Sequence, residues 1–152
     1  MSWDVEKGMT DTLIVNQTEI EVRYQETDQM GVVYHANYLV WFEIGRTKFI
    51  EQLGFQYTEM EKNNIVSPVV DIQISYKQPA RYGDVVTVYT WLEAYDGIRT
   101  TYGYRIENED STTLITGESK HVIVHKDTFK PLRLRKEHPE WHQAYKKQLK
   151  GE

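Results

Sequence analysis

The segment ETDQMGVVYHANYLVWFE, residues 26–43, gathers most of the groups in this chain that could do chemistry. Asp28 lies in its polar opening, and Glu43 lies inside an apolar run that reads as a helix. Gly31, Tyr34 and His35 stand between the two acids. If the helix starts near His35, its first N–H groups lack internal acceptors and sit at the positive end of the helix dipole. An N–H in that position can polarise a carbonyl or hold an oxyanion. Asp28 precedes it on a loop that Gly31 allows to fold back. A carboxylate facing a polarised carbonyl is the minimum apparatus for acyl hydrolysis. It acts as a nucleophile that forms a mixed anhydride, or as a general base on water. Asp28 equally suits an Asx-turn or a cap.

Glu43 has two readings as well. Arg46, three residues on, is an ordinary helical ion-pair partner. In a mostly buried helix an acid must be paired or neutralised, and such acids often mark active sites. His35 could orient a ligand, donate a proton, or be satisfied by backbone. Tyr24, Tyr34 and Tyr38 flank the loop as candidate walls for an acyl group, whereas Trp41 reads as core. Metal chemistry is poorly served. His121 and His125 would stand about 13 Å apart on a strand. HPEWH, residues 138–142, does not have the zinc-protease order. No nucleophile elbow and no glycine-rich phosphate loop occur, and no cofactor is expected.

The elements that must position these groups follow from periodicity. TEIEVRY, residues 18–24, alternates and predicts a half-buried strand with Ile20, Val22 and Tyr24 on one face. Residues 36–53 predict a helix that is apolar around most of its girth and therefore buried, with Gly54 as its C-cap. Gly45 inside it implies the close approach of another backbone. After a connector at 55–64, alternating runs predict strands. Val70, Ile72, Ile74 and Tyr76 mark one, and Val86, Val88, Thr90 and Leu92 the next. Asp96-Gly97 signals a tight hairpin into Ile98, Thr100, Tyr102, Tyr104 and Ile106. Residues 112–125 form the last strand, and 138–152 a short polar helix or frayed tail opened by Pro139. Strands segregated from one long helix indicate an α+β fold with a curved antiparallel sheet wrapped around the helix. Such a sheet leaves an edge strand exposed, which a second subunit is expected to cover.

The 152 residues suit one domain, residues 18–137, after a loose leader at 1–17. A net charge of −5 without a long basic run disfavours nucleic acid as the partner. No apolar run approaches the roughly 20 residues of a membrane span. There is no cysteine, and the N-terminus lacks the pattern of a signal peptide, so a cytoplasmic protein is expected.

RYQETDQMGVVYHANYLVWFEIGR, residues 23–46, resembles the signature of hotdog-fold acyl-CoA thioesterases of the 4-hydroxybenzoyl-CoA thioesterase type. It is similar above all to the YbgC-like acyl-CoA thioester hydrolases that accompany the Tol-Pal envelope proteins in many bacteria. YKQPARYGDVVTV, residues 76–88, is similar to that family's Pro-Ala turn and following strand. The resemblance spans residues 18–126. It implies a hotdog fold, acyl-CoA as substrate, a homodimer or homotetramer, and sites at the subunit interface. It implies catalysis by Asp28, an oxyanion donor at the His35 N–H, and site roles for Tyr24 and His35. Gly31, Val32, Val33, Tyr34 and Tyr38 are then candidates to contact substrate. A second branch of hotdog thioesterases uses a helix glutamate, which falls on Glu43. The intact aspartate loop assigns catalysis to Asp28 and leaves Glu43 supporting or structural. The phosphates of coenzyme A call for basic residues at the mouth, with Arg81, Arg99, Arg105 and Lys120 as candidates. The alternatives are a hotdog enoyl-thioester hydratase, or an acyl-thioester-binding or scaffold protein without turnover.

Overall fold

The structure, a computed structural model, describes residues 13–149. Most of the expected leader thus lies outside the described residues, and strand β1 (Asn16–Glu21) begins just before the expected domain boundary. The alternation of TEIEVRY does not carry the strand through to Tyr24. A 3-10 turn over Tyr24–Glu26 ends it. The Glu26 carboxylate accepts the Arg23 N–H at 2.8 Å and so stabilises that turn. Tyr24 is consequently 75% exposed instead of lying on the buried strand face.

Helix α1 (Asn37–Leu53) follows, closed by Gly54 in the left-handed conformation at φ +102°. A short helix, α2 (Tyr57–Lys62), occupies what the sequence presents as a plain connector. Then come β2 (Ile65–Val66), β3 (Val69–Tyr76), β4 (Val85–Tyr95), β5 (Arg99–Glu107), β6 (Thr113–Val122) and β7 (Val124–His125). The chain continues into α3 (Leu134–Glu137) and α4 (Pro139–Lys147). The large sheet is antiparallel in the order β1-β4-β5-β6-β3, and β2 pairs with β7 apart from it.

The strand periodicity is met closely on β4 and β5. Val86, Val88, Thr90 and Leu92 are buried on β4, with Thr100, Tyr102, Tyr104 and Ile106 on β5. These side chains form the bed for α1, which buries Trp41, Phe42, Phe49 and Ile50 against them. Phe42 stacks on Tyr104 with ring centroids 4.1 Å apart. Gly45 faces β4, where an added Cβ would run into the Thr90 hydroxyl and stand 2.9 Å from Val88. The close approach at Gly45 is therefore made by two side chains, not by a backbone.

The expectation of a helix buried all round is corrected. The sheet covers one side of α1 and leaves Leu39, Val40, Glu43 and Ile44 exposed. The C-terminal segment is also more than polar. Helix α4 buries Trp141 and Tyr145 across one end of the sheet. Trp141 stacks on Phe55 at 4.6 Å, and the Tyr145 and Tyr102 hydroxyls are 2.5 Å apart.

Candidate active site

The site is organised around Glu26. Its carboxylate accepts from the Arg23 N–H and, at 2.9 Å, from the Trp41 indole on α1. Its main-chain oxygen accepts the Tyr34 N–H and the Asn37 side-chain amide, each at 2.8 Å. One residue thus ties both arms of the Asp28 loop to the first turns of α1. Burial pushes the Glu26 carboxyl up. The hydrogen bonds from Arg23 and Trp41, with the Arg23 charge, outweigh that and hold it below its ordinary range. Sequence reasoning missed Glu26, whose only local signal is its i+3 spacing from Arg23.

The loop itself is a narrow hairpin. Thr27 pairs with Val33, and the Asp28 N–H donates to the Val32 carbonyl at 2.8 Å. Gly31 turns the chain at φ +83°, and its N–H donates to the Asp28 carbonyl at 3.1 Å. The Asp28 Oδ1 accepts the Met30 N–H at 2.8 Å, an Asx-turn. The Oδ2 atom has no partner among the described residues. The turn geometry and the chemical role are therefore compatible. One oxygen fixes the carboxylate and the other stays open.

The returning arm is anchored to the chain just before β4. The Val33 N–H donates to the Ala80 carbonyl at 2.9 Å, and Val32 pairs with Arg81. Tyr38 is buried, and its hydroxyl accepts the Ala80 N–H at 3.0 Å. In the single chain Tyr38 thus supports the loop from behind. Helix α1 begins at Asn37, so His35 precedes its first turn instead of lying in it. The Tyr34 and Asn37 N–H groups are used, by Glu26 and Tyr34 carbonyls. The N–H groups of His35 and Ala36 between them have no acceptor among the described residues. The His35 ring lies 4.4 Å from that of Tyr34 and 6.5 Å from that of Tyr76. Tyr24 packs edge-on against Tyr82 at 5.8 Å. Tyr24, Tyr34, Tyr76 and Tyr82 all remain exposed around the loop, an aromatic rim suited to an apolar ligand or a second subunit.

Of the other expected site residues, Arg81 reaches this loop within the chain, whereas Glu43 and Arg99 lie away from it. Glu43 lies two turns along α1, in a groove of about 670 Å³ shared with Tyr57, Met60 and Phe129. It does not pair with Arg46, which turns inward and donates to the Tyr104 hydroxyl at 2.9 Å. Arg46 opens a buried polar chain that runs through Tyr104, Ser119 and His121 to the Ser67 carbonyl. Burial and the Arg46 charge push the His121 imidazole down to about 4. Arg81 adjoins the loop through its bridge with Val32. Arg99 sits at the β4–β5 turn, 3.4 Å from Asp96. It is at the opposite end of β4 from the loop, on the order of 30 Å away at the usual rise per residue. Arg105 is held by Glu107 at 2.9 Å and lies over the Tyr89 ring. Among the described residues no group of three or more His, Asp or Glu side chains could hold a metal ion. None of the described helices is long and apolar enough to cross a membrane.

An open carboxylate, unoccupied N–H groups before a helix and an aromatic rim thus belong to one loop, and similarity to known proteins gives the family of the chain that carries it. The chain is 56% identical over 136 residues to YneP of Bacillus subtilis (strain 168), named as a candidate acyl-CoA thioesterase, covering 90% of this chain and 99% of that protein. It is 30% identical over 117 residues to the acyl-CoA thioester hydrolase YbgC of Escherichia coli O6:H1, covering 77% of this chain and 87% of the relative. The crystal structure of a DHNA-CoA thioesterase from Staphylococcus aureus superposes with a TM-score of 0.86 at 47% identity, covering 89% of this chain and 91% of that one. The model of the thioesterase-like superfamily matches residues 22–145, nearly all of the described fold and the whole of the Asp28 loop, and the chain belongs to that family.

Proposed function

We propose that this chain is an acyl-CoA thioesterase that cleaves its substrate at the Asp28 loop. The observation that carries the assignment is that one short loop holds both the open Asp28 Oδ2 and the free N–H groups of His35 and Ala36, with Glu26 tying its returning arm to the start of α1. The thioester carbonyl accepts a hydrogen bond from the His35 N–H, which favours the developing oxyanion. Asp28 attacks the carbonyl carbon, or removes a proton from the water that does. The coenzyme A thiolate leaves readily, and water supplies the oxygen of the free acid. Gly31 gives the loop its turn, Val32 and Val33 pin it, and Tyr34 and Tyr24 face the acyl group. Tyr38 holds Ala80 behind it, and Glu43 plays a supporting part on α1.

The unit that does this is a homodimer or a homotetramer. Exposed Val69, Val70 and Tyr76 on edge strand β3, and Leu39, Val40 and Ile44 on α1, are apolar surface that a second copy would cover. The absence of cysteine fits work in the cytoplasm. The relatives' names speak for acyl-CoA in general and, for the Staphylococcus protein, for DHNA-CoA. A panel of short, long, branched and aromatic acyl-CoAs, followed by thiol release, therefore tests the assignment. Asp28→Asn is expected to lower kcat by about 10³-fold or more with little change in KM. Near-normal turnover in Asp28→Asn together with its loss in Glu43→Gln would move the chemistry to α1.

A further inference from the structure

Strands β4 and β5 meet at the turn Asp96–Ile98, and the chain returns to this turn after β7. Leu132 and Leu134 are buried, and the Leu134 N–H donates to the Gly97 carbonyl at 3.0 Å. Arg133 caps the start of α3 and Arg135 lies within it, and both are exposed on either side of the buried Leu134. Helix α4 brings His142 and Lys146, one turn apart, to the same place. Arg133, Arg135, His142 and Lys146 line a cleft of about 380 Å³ against the turn.

The charge in this cleft is unusual for the molecule. The chain carries a net −5, yet three cations surround one concavity. Neither Arg133 nor Arg135 has an ion-pair partner among the described residues. The one acid in the wall, Asp96, is already engaged. Its Oδ1 accepts the Ile98 and Arg99 N–H groups at 3.0 and 2.7 Å, and its Oδ2 faces the Arg99 guanidinium. Burial and the charges of Lys146 and Arg135 hold the imidazole of His142 below its ordinary range.

We propose that this cleft is a binding site for a diphosphate-bearing small molecule. Two guanidinium forks match two phosphate groups bidentately, and a lysine adds a point charge. The volume lies at the lower end of the range for small-molecule sites, which favours a compact anion over an extended acidic protein surface. The cleft stands at the end of β4 away from the Asp28 loop. A coenzyme A held here by its phosphates would therefore serve the loop of another protomer. A free nucleotide would bind away from the chemistry.

Calorimetric titration of the full chain with inorganic pyrophosphate tests the site without reference to thioester turnover. Wild type is expected to bind saturably and to shift the His142 ring resonance. Arg133→Gln/Arg135→Gln is expected to bind at least about tenfold more weakly. Lys130→Gln/Lys136→Gln makes the same change in net charge outside the cleft and is expected to bind as wild type does. Equal binding by the arginine variant overturns the proposal. So does an equal loss in the lysine variant, which would reduce the effect to overall charge. Coenzyme A and ADP then separate the two sources. Displacement of pyrophosphate by coenzyme A, with a raised KM in the arginine variant for acyl-CoA but not for acyl-pantetheine, assigns the cleft to the substrate. Displacement by ADP without any change in KM assigns it to a separate phosphorylated metabolite.

Discussion

Asp28 is placed by a neighbour that does no chemistry itself. The Glu26 carboxylate holds the Arg23 N–H and the Trp41 indole, while its carbonyl holds Tyr34 and Asn37. Replacing its charge should disturb the loop without emptying the core. We expect Glu26→Gln to lower kcat about tenfold or more, since truncating charged hydrogen bonds costs about 1.5–3 kcal/mol each. The pH dependence carries the sign of the shift. The folded carboxyl lies below its ordinary value of 4.5, so its contacts contribute stability that is fully present above that pH. That contribution is lost as pH falls through the lower folded value. Wild-type stability, followed by urea melts from pH 6 downward, should therefore decline on the acid side more steeply than that of Glu26→Gln. Parallel acid profiles for the two proteins would remove Glu26 from this role.

Helix α1 shows best what the sequence reveals and what it hides. Gly45 sits where Thr90 and Val88 press on the helix, so Gly45→Ala puts a methyl group into filled space. Overpacking of this kind costs about 1–3 kcal/mol, which outweighs the roughly 1 kcal/mol that alanine gains in helix propensity. Thermal melts should show Gly45→Ala with a lower Tm, partly restored by shortening Thr90 to Ala. The bounds of α1 and the buried faces of β4 and β5 were legible because Gly54 and the two-residue alternation are local signals. The loop motif was legible because Asp28, Gly31 and His35 are close in sequence. Glu26 was not, because its decisive partner, Trp41, lies fifteen residues on and only folding brings them together. The outward face of α1 was misread for a related reason. Val40 and Ile44 are apolar whether the sheet or a second copy covers them. The docking of α4 was hidden too, since Trp141 and Tyr145 are two apolar rings among polar neighbours.

At the scale of the whole molecule, the exposed apolar face of α1 and the edge strand β3 are the surfaces that the proposed oligomer would cover. A charge placed on that face, Ile44→Glu, should shift sedimentation from oligomer toward monomer. Thiol release should fall with it, since the aromatic rim around Asp28 would lose its cover. An unchanged sedimentation coefficient would place the contact elsewhere. The position of α4 also bears on how the chain is made. Strand β1 pairs with β4 and β3 with β6, so neither early strand finds its neighbour until much later residues are made. The end of the sheet at Tyr95 and Tyr102 then stays open until Trp141 and Tyr145 arrive. During translation the ribosome therefore holds a nascent chain with bare aromatic strands, the kind of segment that chaperones bind.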